Sequence, residues 1–158
     1  MAAERLAWSL AAVLVAFSLA ACSYGAAAYF QIHNAAGSAL KTFGLLNDEV
    51  VTWSDFSAMK QCKEGSDRFQ HDYQFRADPS ITLSAILNAS TDTLALSITE
   101  LGSRQFSPRA GRVLADVHGR LKRRFGDPAV VFMADEKAQV ALINALRADP
   151  SRLYFCSH

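Results

Sequence analysis

Basic side chains are concentrated between Arg104 and Arg124, where seven arginines and lysines accompany a single acid, Asp116. The spacing of three or four residues predicts that several of them share one face of a helix. Such a face could bind an anionic partner, for example phospholipid headgroups, lipopolysaccharide phosphates or an acidic protein surface. The residues of this candidate patch are Arg109, Arg112, Arg120, Arg123 and Arg124.

The same arginines also fit a structural interpretation. Cations in the last turn of a helix favour its dipole, and Asp116 can pair with Arg112 and Arg120 at a spacing of four residues. An amphipathic helix needs a solvated face in any case. Both interpretations of helix face 109–124 stay open at this point.

Catalytic and metal-binding chemistry has weak support in the sequence. The four histidines are widely separated and form no HxH, HExxH or CxxC spacing, so we expect no metal and no cofactor. Cys62 could act as a nucleophile served by His71, but no third group is identified to orient such a pair. Glycine-rich phosphate loops and paired catalytic carboxylates are missing as well. The expectation is a protein that is not an enzyme.

The N-terminal segment has the layout of a secretory signal. A short charged region with Glu4 and Arg5 precedes an apolar run from Leu6 to about Leu19, followed by small residues. The charge-free apolar run is shorter than the roughly 20 residues of a membrane-spanning helix. No charged residue follows until Lys41, however, so an uncleaved anchor is the alternative.

The tetrapeptide Leu19-Ala20-Ala21-Cys22 resembles the lipobox of bacterial lipoproteins at all four positions. The resemblance implies cleavage before Cys22, acylation of that cysteine, and membrane attachment through its acyl groups. Two or more acyl chains anchor stably, whereas one gives marginal binding. Ser23 in place of an aspartate implies the outer membrane more than the inner one, with the domain facing the periplasm.

With Cys22 acylated, Cys62 and Cys156 are left as an even pair in an oxidising compartment. A disulfide between them would close a loop worth up to about 4–5 kcal/mol in the chain-entropy model. Two buried free thiols are the competing interpretation.

The remaining chain predicts one α+β domain. Alternating residues in 68–76, 81–87 and 94–98 predict a three-strand antiparallel meander with one apolar and one polar face. A helix is expected from Ser107-Pro108 to Gly126, a short buried strand over 129–133, a second helix after Asp135 and a terminal strand over 152–156. A short helix from Ser54 or Asp55 to Met59 is a further expectation. Both main helices should pack on one face of the sheet.

The expected organisation is a signal peptide over residues 1–21, an acylated cysteine and Ala-rich tether over 22–39, and a globular domain over 40–158. The formal charge of +1 gives no support to nucleic-acid binding. We therefore expect a non-enzymatic, lipid-anchored envelope accessory protein that contacts an unidentified protein partner. The alternative is a module that binds an anionic envelope ligand through helix face 109–124.

Overall fold

The computed structural model describes residues 25–147 and 153–156. Within these ranges the chain forms one six-stranded antiparallel sheet and three α-helices, which confirms the α+β class. The elements in chain order are β1 (Gly25–Ile32), α1 (Ala39–Val50), β2 (Phe56–Glu64), β3 (Arg68–Phe75), β4 (Ile81–Asn88), β5 (Thr93–Leu101), α2 (Pro108–Phe125), a 3-10 turn (Asp127–Ala129), β6 (Val130–Phe132) and α3 (Glu136–Leu146).

The strand order across the sheet is β2-β3-β4-β5-β1-β6. The predicted meander is confirmed as β3, β4 and β5, which pair antiparallel as neighbours. The alternation found in the sequence places Tyr73, Leu83 and Ile98 on one face, where they are almost fully buried.

That apolar face is covered by α1 and α2 and forms the main core of the domain, so we call it the helix-covered face. Phe43 and Leu46 of α1 and Val117 and Leu121 of α2 belong to this cluster. The predicted caps of α2 are confirmed, because the Ser107 side chain accepts a hydrogen bond from the N–H of Ala110 and Gly126 ends the helix.

The expectation that both main helices cover one face is wrong. Leu142 and Leu146 of α3 pack against Ile86 and Ala95, whose side chains leave β4 and β5 on the opposite face. A smaller second cluster lies there, and α1, which the sequence did not predict, takes the place beside α2. None of the three helices in the described ranges is long and apolar enough to cross a bilayer.

Three other expectations about elements differ from the structure. The segment from Phe56 to Glu64 is strand β2 rather than a helix ending at Met59. The described part of the expected terminal strand, Leu153–Cys156, forms no strand. The short strand β6 is buried only at Val130, because it lies at the edge of the sheet.

The range expected to be a tether contains β1. Gly25–Ile32 pairs with β5 on one side and with β6 on the other, so the sheet begins at the first described residue. Residues 1–24, including the lipobox, lie outside the described residues.

Candidate functional site

The sheet face that α1 and α2 do not cover contains a groove, and we call this face the groove face. The volume of the groove is about 600 Å³. The groove is lined by residues of strands β1 to β5, of the β3–β4 loop and of the segment 153–156. They are Gly25, Ala27, Tyr29, Met59, Gln70, Asp72, Gln74, Pro79, Thr82, Ser84, Thr99, Leu101, Tyr154 and Cys156.

The two-residue period of the strands sends polar side chains into this groove. Gln74 and Thr82 are directly paired across β3 and β4, and Thr82 is paired with Thr99 across β4 and β5. The hydroxyl oxygens of the two threonines lie 2.5 Å apart. Hydrogen-bond donors and acceptors from β3, β4 and β5 therefore form the floor of the groove.

Asp72 is the only carboxylate among the described residues that line the groove, and it is 5% exposed. The side-chain amide of Gln70 donates to both carboxylate oxygens, at 2.8 and 3.0 Å. A carboxylate keeps further acceptor capacity after two such bonds. The groove can accordingly receive hydrogen-bond donors such as amide, hydroxyl or amine groups of a bound molecule.

Residues 153–156, which we call the strap, form one wall of the groove. The side-chain oxygen of Gln70 accepts hydrogen bonds from the backbone N–H of Phe155 at 2.9 Å and of Cys156 at 3.4 Å. Gln70 thus connects the strap to Asp72, because its side-chain oxygen binds the strap backbone while its side-chain nitrogen binds the carboxylate.

The predicted pairing of Cys62 with Cys156 is confirmed. The two cysteines are disulfide-bonded with Cα atoms 5.5 Å apart, which ties the strap to β2. Cys62 and His71 point to opposite faces of the sheet. Cys62 is paired with Gln70 and therefore lies on the groove face. His71 lies on the helix-covered face, where the centre of its ring is 4.9 Å from that of Phe43 in α1. The structure does not bring the nucleophile and base of the alternative hypothesis together.

A buried arginine holds the strap and the end of α3 together. Arg68 is 1% exposed and donates to the carbonyl oxygens of Leu146 at 3.0 Å and Leu153 at 3.3 Å. Its guanidinium pairs with Glu64 and lies 4.5 Å from the ring centre of Phe155. The charge is therefore neutralised and hydrogen-bonded, as burial of an arginine requires.

Tyr154 of the strap closes the groove towards β5. Its hydroxyl donates to the Ser97 hydroxyl at 3.0 Å. Burial raises the pKa of Tyr154 well above its ordinary value, with the nearby Tyr29 acting in the same direction. The phenol therefore stays neutral and serves as a hydrogen-bonding wall.

Most of the predicted anionic-partner patch is paired within the domain. Arg120 makes two bonds of 2.9 Å to Asp55, in which each guanidinium nitrogen meets one carboxylate oxygen, and a third contact of 2.7 Å to Asp116. Arg109 pairs with Asp78 and Arg124 with Glu49, each at 3.3 Å.

Arg112 and Arg123 are exposed and form no ion pair within residues 25–147 and 153–156, whereas Arg109 and Arg124 are exposed but paired. The helix face is therefore largely a set of ion pairs to the loops and to α1. These pairs support the structural interpretation of the basic residues.

No family model, curated protein sequence or solved structure matches this chain. No group of three or more histidine, cysteine or acidic side chains within residues 25–147 and 153–156 is placed to hold a metal ion. The candidate site is thus defined by geometry.

Sequence reasoning noted the polar face but missed the groove residues. The signal was present in β3, where Gln70, Asp72 and Gln74 alternate with aromatic residues. The sequence predicted the bond from Cys156 to Cys62, but it did not show that the strap is also held by Arg68, which is distant in the chain.

Proposed function

We propose that the protein is a lipid-anchored accessory protein of the bacterial envelope that binds a protein partner in the groove. Cys22 carries the anchor in this proposal, on the strength of the complete lipobox. The single observation that carries the binding function is the groove of about 600 Å³, floored by hydrogen-bonding side chains from three strands.

The shape and composition of the groove fit a segment of a partner chain. Exposed apolar side chains flank it on two sides, Met59 on β2 at 46% and Leu101 on β5 at 65% exposure. Between them lie amide, hydroxyl and carboxylate groups that complement the donors and acceptors of a polypeptide backbone. An apolar rim around a polar floor suits an extended peptide with alternating side chains.

Binding through helix face 109–124 is supported less well. Ion pairs within the domain already occupy Arg109, Arg120 and Arg124. An added anion would compete with Asp55 and Asp78 for the same guanidinium groups.

The partner can be found by photo-crosslinking from the groove. A photoreactive residue at Thr99, on the groove floor, should capture one discrete protein in intact envelopes. A matched position at Thr52, which is exposed beyond the end of α1, should not capture it. Thr99→Arg should abolish the crosslink formed from Ser84, while Thr52→Arg should leave it unchanged.

Each result has a defined meaning for the proposal. Capture of the same proteins from Thr99 and Thr52 would contradict a groove-specific partner. Crosslinks from Thr99 to lipid alone would contradict a protein partner. Circular dichroism of Thr99→Arg, compared with Thr52→Arg, shows whether the fold is retained.

A further inference from the structure

One end of the sheet is joined directly to the N-terminal segment. Gly25, the first residue of β1, is paired with Leu101, the last residue of β5. The next pair along β5 joins Glu100 to Ile81, where β4 begins. Two loops lie at this end, residues 76–80 between β3 and β4 and residues 102–107 between β5 and α2. We call Gly25, Leu101 and these two loops the anchor end.

The covalent distance between the anchor end and Cys22 is short. Three Cα–Cα steps separate Cys22 from Gly25, which span about 11 Å at full extension. The headgroup region on each side of a bilayer is about 5–8 Å thick. A chain anchored at Cys22 therefore keeps the anchor end at the membrane surface.

The side chains at the anchor end suit an anionic lipid surface. Leu101 is 65% exposed, the most exposed large apolar side chain in the described residues. Arg76 and Arg104 lie in the two loops and are exposed. Asp78 is the single acid in these two loops, and Asp55 lies beside them, where its backbone carbonyl accepts a hydrogen bond from the N–H of Arg76. Both acids pair with arginines of α2, Asp78 with Arg109 and Asp55 with Arg120. The acids at this end are thus paired, and exposed cations lie beside one apolar side chain.

We infer that the anchor end lies against the anionic phospholipid of the membrane to which the chain is attached. Leu101 enters the headgroup layer, and Arg76 and Arg104 meet lipid phosphates. The inference rests on the proposed N-terminal attachment and adds a fixed orientation to it. Because Gly25 and Leu101 also line the groove, the groove opens beside the membrane.

The orientation can be tested with tryptophan fluorescence in vesicles. Full-length protein, matured in cells, is reconstituted into phosphatidylethanolamine and phosphatidylglycerol with brominated acyl chains, which quench nearby tryptophan. Leu101→Trp places the probe at the anchor end. Leu40→Trp is the matched control, since Leu40 is 52% exposed. Its neighbour Ala39 donates to Asp92 in the β4–β5 turn, at the opposite end of the sheet.

We expect strong quenching from position 101 and little from position 40. Equal quenching at the two positions, or stronger quenching at position 40, overturns the inference. Trp53 is 5% exposed, and it contributes the same background to both variants, as does Trp8 wherever the N-terminal segment is retained.

A second pair of variants tests the contact between the arginines and the lipid phosphates. In the Leu101→Trp background, Arg104→Gln should weaken the membrane contact about fivefold, the effect of removing one cation near an anionic surface. Lys41→Gln, at the opposite end, should have no effect. Identical quenching in the two variants overturns the role of Arg104.

Lipid labelling of Cys22 is measured in the same samples. Labelled protein without quenching at position 101 overturns the orientation and keeps the lipid anchor. Unlabelled protein with quenching at position 101 contradicts lipidation and keeps the orientation, because an uncleaved N-terminal helix would hold the same end of the sheet.

Discussion

His71 is a basic side chain on the helix-covered face of β3. The centre of its ring lies 4.9 Å from the ring centre of Phe43, and its Nδ1 atom is buried without a hydrogen-bond partner in the described residues. Burial lowers the pKa of His71 below the ordinary 6.5, and the nearby Asp72 opposes this only in part. His71 is therefore neutral in the folded domain at neutral pH.

The lowered pKa makes the stability of the domain depend on pH. Between the folded pKa and 6.5 the unfolded chain binds more protons than the folded one, so the free energy of unfolding falls as the pH drops below 6.5. The contribution of His71 to the free energy of unfolding is fully lost once the pH lies below its pKa in the folded domain.

His71→Phe should reduce this pH dependence while preserving the contact with Phe43. Urea unfolding at about pH 7.5 and about pH 5.5 measures it. His118 also has a lowered pKa, caused by burial first and by Lys122 second, so it should contribute to the slope that remains. The exposed His33→Gln is the control. A slope unchanged by His71→Phe would contradict the assignment.

Among the elements, those with a clear period were predictable and those defined by distant contacts were not. β3, β4, β5, α2 and α3 could be predicted because their alternation or caps are local. β1 was missed because Gly25 to Ala28 are small residues with low β-propensity, which also suit a tether. Its inward residues Ala26, Ala28 and Phe30 do alternate, and this was the available signal.

Two other elements were obscured for different physical reasons. α1 has inward residues Ala39, Phe43, Leu46 and Val50, but only Ser38 as a cap signal, and no acid lies in its first turn. β2 is an edge strand with a register shift between Ala58 and Lys60, so its alternation is broken. The groove depends on β2 and the strap together, which explains why only its polar floor was visible in the sequence.

The strap depends on the disulfide for its place on the groove face. Cys62→Ser and Cys156→Ser should each lower the free energy of unfolding by up to about 4–5 kcal/mol, because the bond closes a long loop of the unfolded chain. Denaturant unfolding with and without reductant measures this loss.

The two cysteine variants serve as controls for each other. They should behave alike, and reductant should destabilise the wild type while changing neither variant. A wild-type domain insensitive to reductant, or a clear difference between the variants, would contradict the assigned bond. Hydrogen exchange at Phe155 should also rise in both variants, since its N–H binds Gln70.

For the whole molecule, the proposed attachment through Cys22 makes a direct prediction. Cys22→Ser should give an unprocessed precursor without a lipid label, because acylation and cleavage both require the thiol in the lipoprotein family that the segment resembles. Electrophoretic mobility and metabolic labelling with a radioactive fatty acid measure this. Ser23→Ala is the neighbouring control and should mature normally. A lipid-labelled Cys22→Ser protein of mature size would contradict the proposal.

The position of β1 bears on the order in which the chain can fold. β1, the first strand of the described residues, pairs with residues 95–101 and 130–132, so its partners are made long after it. Pairings of such high sequence separation form slowly, because a long loop must close first. The nascent chain therefore stays without a completed sheet until its last third is synthesised. If the chain is exported as proposed, this delay would keep the precursor unfolded enough to pass through a translocation pore before the sheet closes.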